Sequence, residues 1–208
     1  MALRRFAIWR VDETAGYESA WLELDGLALR ATGQAAGQLP RPYWLSYTLH
    51  TDAAGVTTSL QVSATADDAT HRLDLRRHAG EWTVNGQARP DLAAALDCDL
   101  AYSPVTNTMP IRRHGLQRSP GAEQFVMAFV QVPTLQVVAT PQEYRHLQLL
   151  DTGAQIRYSS GTFASDLLVD RDGIVVDYPT MAHRMPAETK IGADERTSGP
   201  GPTRPQVV

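Results

Sequence analysis

Between residues 97 and 113 the chain gathers side chains able to do chemistry: Asp97, Cys98, Asp99, Thr106, Asn107, Thr108, Arg112 and Arg113. If 97–102 is a strand, Leu96, Cys98, Leu100 and Tyr102 share one face. Asp97 and Asp99 then share the other, about 7 Å apart, and point away from the apolar layer. So placed, the two carboxylates and the Thr106-Asn107-Thr108 turn would surround a polar head group, with Arg112 or Arg113 donating to sugar or phosphate oxygens. In an extended segment successive residues face opposite ways, so only one of the two arginines can face a given pocket. The same residues equally suit a structural clamp, in which an Arg–Asp pair and a Thr/Asn turn pin a loop over the sheet.

Catalysis and metal binding find less support. Asp97 with Asp99, or Glu143 with Asp166, are the carboxylates a glycosidase-like hydrolase would use, but spacing alone does not make a catalytic pair. No Gly-x-Ser-x-Gly elbow is present. The six histidines are isolated, without His-x-His or His-Glu-x-x-His spacing. Asp170-Arg171-Asp172-Gly173 resembles a calcium loop only until Gly173 is set at the sixth place, which puts Leu168 first and Pro179 twelfth, neither a carboxylate. A tight hairpin between 167–169 and 174–176 suits these residues better. Cys98 has no thiol partner and reads as a small buried hydrophobe. No catalytic residue, metal or cofactor is expected.

Strands must position these groups. Val56 to Ala64 alternates apolar and polar residues, and so does Tyr43 to His50, with Asp52 to Gly55 between them, so 43–65 reads as a hairpin. Similar runs lie at 5–11, 17–24, 27–33, 70–77, 81–84, 97–102, 124–132, 135–139, 142–150, 155–160, 163–169 and 174–178. Asp25-Gly26, Ala79-Gly80 and Asn85-Gly86 are turns between them. Gln124 to Val132 is apolar on both faces and should be central. Thr140-Pro141-Gln142-Glu143 has the form of a helix capping box, yet Leu147 to Leu150 running through Asp151-Thr152-Gly153 to Ile156 favours a hairpin. Asp91 to Leu96 reads as a short helix. So many strands imply an all-β fold: a large, strongly curved antiparallel sheet or open β-barrel with one or two short helices.

With 208 residues, 43% hydrophobic and 20% charged, one domain with one core is expected, burying about 70% of the unfolded surface. It should span 1–184, leaving 185–208 as a low-order polar tail rich in Pro and Gly. A net charge of −4 and a pI near 5.8 offer no field for nucleic acid. No run of about 20 apolar residues suggests integral membrane association. One cysteine and no signal-like N-terminus suggest a cytoplasmic protein.

The stretch Ser103-Pro104-Val105-Thr106-Asn107-Thr108-Met109-Pro110-Ile111-Arg112-Arg113, preceded by Asp97-Cys98-Asp99-Leu100, resembles the signature of the putative glycolipid-binding family of bacterial proteins. Trp9-Arg10, Trp82 to Gly86 and Val169 to Pro179 follow in that family's order, so the resemblance covers roughly residues 3 to 184. It departs at Met181-Ala182-His183, where a glycine and a bulky apolar pair would be expected. The resemblance implies a curved sheet or open barrel like that of bacterial lipoprotein carriers, an apolar concavity, a glycolipid or other amphiphile as partner, and no enzymatic activity.

The ligand-binding candidates are thus Asp97, Asp99, Thr106, Asn107, Thr108, Arg112, Arg113, Trp9, Arg10, Trp44 and Tyr158. Phe6, Tyr43, Tyr47, Phe125, Met127, Phe129 and Phe163 are further candidates for the wall. An acyl chain of about a dozen methylenes at ~0.8 kcal/mol each gains on the order of 10 kcal/mol before ordering costs. The alternatives are a protein-interaction or structural module, with a homodimer as one form of it, and a carboxylate-dependent hydrolase. A carrier should keep an elongated apolar void with polar groups at its mouth, whereas a scaffold should be packed solid.

Overall fold

The computed structural model describes residues 2–186. The alternating runs pair into one long meander. β1 (Leu3–Val11), β2 (Gly16–Asp25), β3 (Ala28–Gly37), β4 (Tyr43–Thr51), β5 (Thr57–Ala66), β6 (Ala69–His78), β7 (Glu81–Val84) and β8 (Gln87–Ala88) lie side by side, antiparallel. β9 (Ala95–Leu100) runs parallel to β10 (Ala122–Val130). β11 (Val137–Leu150), β12 (Gly153–Ser160), β13 (Phe163–Asp170), β14 (Val175–Tyr178) and β15 (Ala182–Arg184) then return antiparallel, until β15 pairs with β1. The two ends of the 15-stranded sheet are therefore β8 and β9, neighbours in sequence, and the sheet curls without closing. This is the expected all-β class, antiparallel everywhere except at β9 and β10.

Alternation explains which face is buried. In β2 and β4 every second residue is buried, which turns Leu22, Leu24, Tyr43, Leu45, Tyr47 and Leu49 inward. Trp9 and Trp82 are fully buried, and each indole N–H has a partner, Val175 O and Ala95 O, both at 2.9 Å. The tolerance for change is small where rings cross neighbouring strands. Gly33 pairs with Tyr47, whose ring occupies the space a Cβ would need. Gly33→Ala is expected to cost about 1–3 kcal/mol by overpacking, measured by denaturant unfolding. The penalty should shrink in a Tyr47→Leu background; an unchanged penalty there would mean the ring is not the cause.

The concavity is partly filled by the crossover from β9 to β10. A 3₁₀ turn (Pro104–Asn107) leads into α1 (Thr108–Arg113), whose first five residues are all buried. The last turn of α1 is tied to hairpin turns at one end of the barrel. Arg112 donates to Gly26 O and Asp172 O, each at 2.6 Å, and Arg113 donates to Gly55 O at 3.1 Å. Strand direction puts the turns after β2, β4, β11 and β13 at this plugged end. The turns after β1, β10, β12 and β14 lie at the opposite end.

Several expectations are corrected. Asp91 to Leu96 is not a helix: a 3₁₀ turn (Pro90–Leu92) gives way to β9, because Ala95 to Leu100 pairs with β10 and the indole of Trp82 holds Ala95 O. β9 ends at Leu100, since Tyr102 takes a left-handed conformation with φ 65°. Asp97 and Asp99 do not face away from the core, because the rolled sheet packs β9 against β5 on one side and the crossover on the other. Thr57 Oγ1 accepts from Cys98 N at 3.2 Å, and Asp97 is 0% exposed. Arg112 and Arg113 lie on a helix, not on an extended segment. Gln124 to Val132 is β10, next to the sheet's end rather than central, and its first residues are exposed. The capping-box residues Thr140 to Glu143 lie inside β11, which pairs with β12 through the turn at 151–152, so the favoured hairpin reading holds. Of the expected tail, 187–208 falls outside the described residues.

Candidate ligand-binding site

At the end opposite the plug, an open cleft of about 650 Å³ lies between the turns after β1, β10, β12 and β14 and the loop after β9. Burial separates its floor from its rim. The floor consists of Asp99, Ser103, Asn107, Gln142, Tyr158 and Tyr178, each at most 8% exposed. Val138 and Phe163, 39% and 45% exposed, stand at the rim with Glu13. Strand parity explains the floor. Gln142 and Tyr144 of β11 and Tyr158 of β12 all point inward, and Tyr144 pairs directly with Tyr158. Tyr158, Phe163 and Tyr178 pack as an aromatic trio with ring centroids 6.0, 6.0 and 6.5 Å apart.

The two aspartates of β9 have opposite fates. Asp97 accepts from both terminal guanidinium nitrogens of Arg113, at 2.7 and 2.6 Å, with the Asp97 and Arg113 side chains 0% and 10% exposed. Asp99 receives Thr106 Oγ1 at 2.8 Å and Gln142 Nε2 at 2.6 Å, and has no cationic partner among the described residues. Burial raises the pKa of both, and their hydrogen bonds pull against it. Tyr144 donates to Asn107 Oδ1 at 2.8 Å, which fixes the Asn107 side chain. Burial also pushes the Cys98 thiol up, in keeping with an inert small hydrophobe.

Beneath the floor lies a carboxyl that sequence reasoning missed. Glu18 is 1% exposed and accepts from Tyr47 Oη and Ser103 Oγ, each at 2.6 Å. Its other oxygen, Oε2, has no partner among the described residues, and burial pushes its pKa up to about 7. The signal was parity, since Glu18 falls on the same face of β2 as Ala20, Leu22 and Leu24. Gln142, Tyr178, Tyr102 and Ser103 were also missed, because their convergence depends on the rolled sheet.

The structure brings together only some of the predicted residues. Asp99, Asn107 and Tyr158 line the cleft, as do Phe129 and Phe163. Thr106 holds Asp99, and Thr108 is buried away from the cleft. Asp97, Arg112 and Arg113 serve the plugged end. Trp9 is core, while Arg10 pairs with Asp12 on the outer face, where Trp44 is 61% exposed. Tyr43, Tyr47 and Met127 are buried elsewhere, and Phe6 and Phe125 also lie outside the cleft. Glu143 is bound to Gln124 and Arg145, and half-buried Asp166 to Arg157, away from the cleft, so no second carboxylate from the proposed pairs faces Asp99. A second concavity, about 700 Å³, lies on the outer face of β1–β6, where the exposed Phe6 and Trp21 rings stand beside serine, threonine and glutamine side chains and Arg72 and Asp74. Among the described residues no group of three His, Cys, Asp or Glu side chains is placed to hold a metal, and no helix is long and apolar enough to cross a membrane.

No curated protein matches this sequence. Among solved structures it is similar to a DUF1089 family protein from Pseudomonas aeruginosa, 28% identical, with a TM-score of 0.68 over 82% of this chain and 92% of that one. A β-barrel-like protein of the domain of unknown function DUF1849 from Brucella abortus is 13% identical, with a TM-score of 0.49 over 88% and 94% of the two chains. The family model described as putative glycolipid-binding matches residues 6–184. That span runs from within β1 to the last residue of β15 and includes the whole cleft, and the chain belongs to the putative glycolipid-binding family.

Proposed function

We propose that the chain binds an amphiphilic ligand, a glycolipid or similar molecule, at the open end of the barrel and performs no chemistry on it. The observation that carries this is the burial gradient of the cleft. Buried polar groups, Asp99, Ser103, Asn107 and Gln142, converge on a floor beside the rings of Tyr158 and Tyr178, and the exposed apolar side chains of Val138 and Phe163 stand with Glu13 at the rim. The interior below holds α1 and a continuous cluster of buried apolar side chains. The head group therefore enters first, and the acyl chain lies over Phe129, Val138 and Phe163 towards the rim. Each methylene covered there contributes up to about 0.8 kcal/mol. A cytoplasmic location suits a chain with one buried, unpaired cysteine.

Native mass spectrometry of the purified protein, followed by organic extraction of what it releases, tests this reading. A near-stoichiometric amphiphile is the expected result. Tyr158→Ala should weaken its retention about tenfold, the loss expected of one aromatic contact. A clean mass that added glycolipid does not change would favour the protein-interaction reading instead.

A further inference from the structure

The cleft's charge pattern narrows the ligand. Five aromatic rings line it, those of Tyr102, Phe129, Tyr158, Phe163 and Tyr178, together with the carboxylates of Asp99 and Glu13. Among the described residues no Arg, Lys or His side chain lines it. An anionic head group would meet two carboxylates and no donor of positive charge. The contrast within β9 sharpens the point: Asp97 is neutralised by Arg113, whereas Asp99, two residues on, meets only Thr106 and Gln142. A carboxylate has about four acceptor positions, so each Asp99 oxygen can still accept from whatever fills the cleft. The Tyr158–Phe163–Tyr178 trio stands at the same floor and rim. Ring faces beside a desolvated carboxylate form the arrangement that attracts an ammonium group, through the ring quadrupole and the opposite charge together.

We infer that the cleft selects amphiphiles whose head group carries a positively charged ammonium, which Asp99 and the Tyr158–Phe163–Tyr178 wall receive while the apolar tail lies over the rim. This inference rests on the amphiphile-binding reading above and names its ligand class.

The test is calorimetric titration of the whole protein with three decyl amphiphiles, each below its micelle-forming concentration: decyltrimethylammonium, decyl-β-D-maltoside and decyl sulfate. The tail is constant, so differences report the head group. Decyltrimethylammonium is expected to bind at least tenfold more tightly than the maltoside, with decyl sulfate weakest. Asp99→Asn should reduce the ammonium affinity about tenfold, toward that of the maltoside. The wild-type series decides the matter even if that variant fails to fold. Maltoside or sulfate binding as tightly as the ammonium would overturn the charge selection while leaving amphiphile binding intact. Binding of none of the three would overturn both.

Discussion

Arg113→Ala is expected to cost about 3–5 kcal/mol of folding stability, the loss typical when one partner of a buried ion pair is removed. The guanidinium holds both oxygens of Asp97, which is 0% exposed, and also donates to Gly55 O. Without it, Asp97 must either stay charged in a desolvated site or take up a proton. The effect belongs to the orphaned carboxylate more than to the pair itself. An Arg113→Met, Asp97→Asn double variant should therefore recover a large part of the loss. Arg112→Ala removes two bonds to the backbone carbonyls of Gly26 and Asp172 and should cost less, about 1–3 kcal/mol. Denaturant unfolding of the four proteins gives these differences. Unchanged stability in Arg113→Ala, accompanied by lost ligand binding, would return this arginine to the head group and remove it from the clamp.

The clamp was legible in the sequence as one of two readings of the same residues, and the structure shows why sequence alone could not choose. Both readings need an arginine near an aspartate, and only the rolled sheet decides whether water or ligand can reach them. The strands were legible because their one-sided burial leaves alternation, as in 43–51 and 57–66. β9 misled because it is covered on both faces, which erases that alternation as a guide. α1 was missed because a six-residue helix containing Pro110 and Arg113 carries little periodicity, and its stability comes from being enclosed. Within the cleft, Asp99, Asn107 and Tyr158 stood out by residue type. Gln142 did not, since an amide at the start of the strand run 142–150 carries no chemical signal by type, and its role follows from facing inward in β11. Trp44 was chosen as an aromatic, but parity alone placed it opposite Tyr43 and Leu45, on the wet face.

Parity also leads to a pH dependence. Glu18 is buried with one oxygen unpartnered among the described residues, and its pKa rises from 4.5 to about 7. Burial is the larger cause, partly offset by the donors Ser103 and Tyr47. The folded value lies above the unfolded one, so the native state holds a proton that the unfolded chain has released. This contribution to stability is fully present below about pH 4.5 and is lost as pH rises through about 7. The slope is about 1.4 kcal/mol per pH unit over that window, for a total of roughly 3 kcal/mol. Asp97 and Asp99 are shifted in the same direction, so the wild-type curve alone cannot isolate Glu18. Glu18→Gln can, because its amide does not titrate. The variant bears a fixed cost of about 1–3 kcal/mol for an amide nitrogen without an acceptor, but that offset does not vary with pH. Between pH 5 and 8 the wild type's advantage over the variant should therefore shrink as pH rises, and it should vanish or reverse towards pH 8, because the loss of roughly 3 kcal/mol equals or exceeds the fixed offset. Curves that stay parallel across that range would mean that Glu18 titrates as an ordinary carboxylate, with water reaching its unpartnered oxygen.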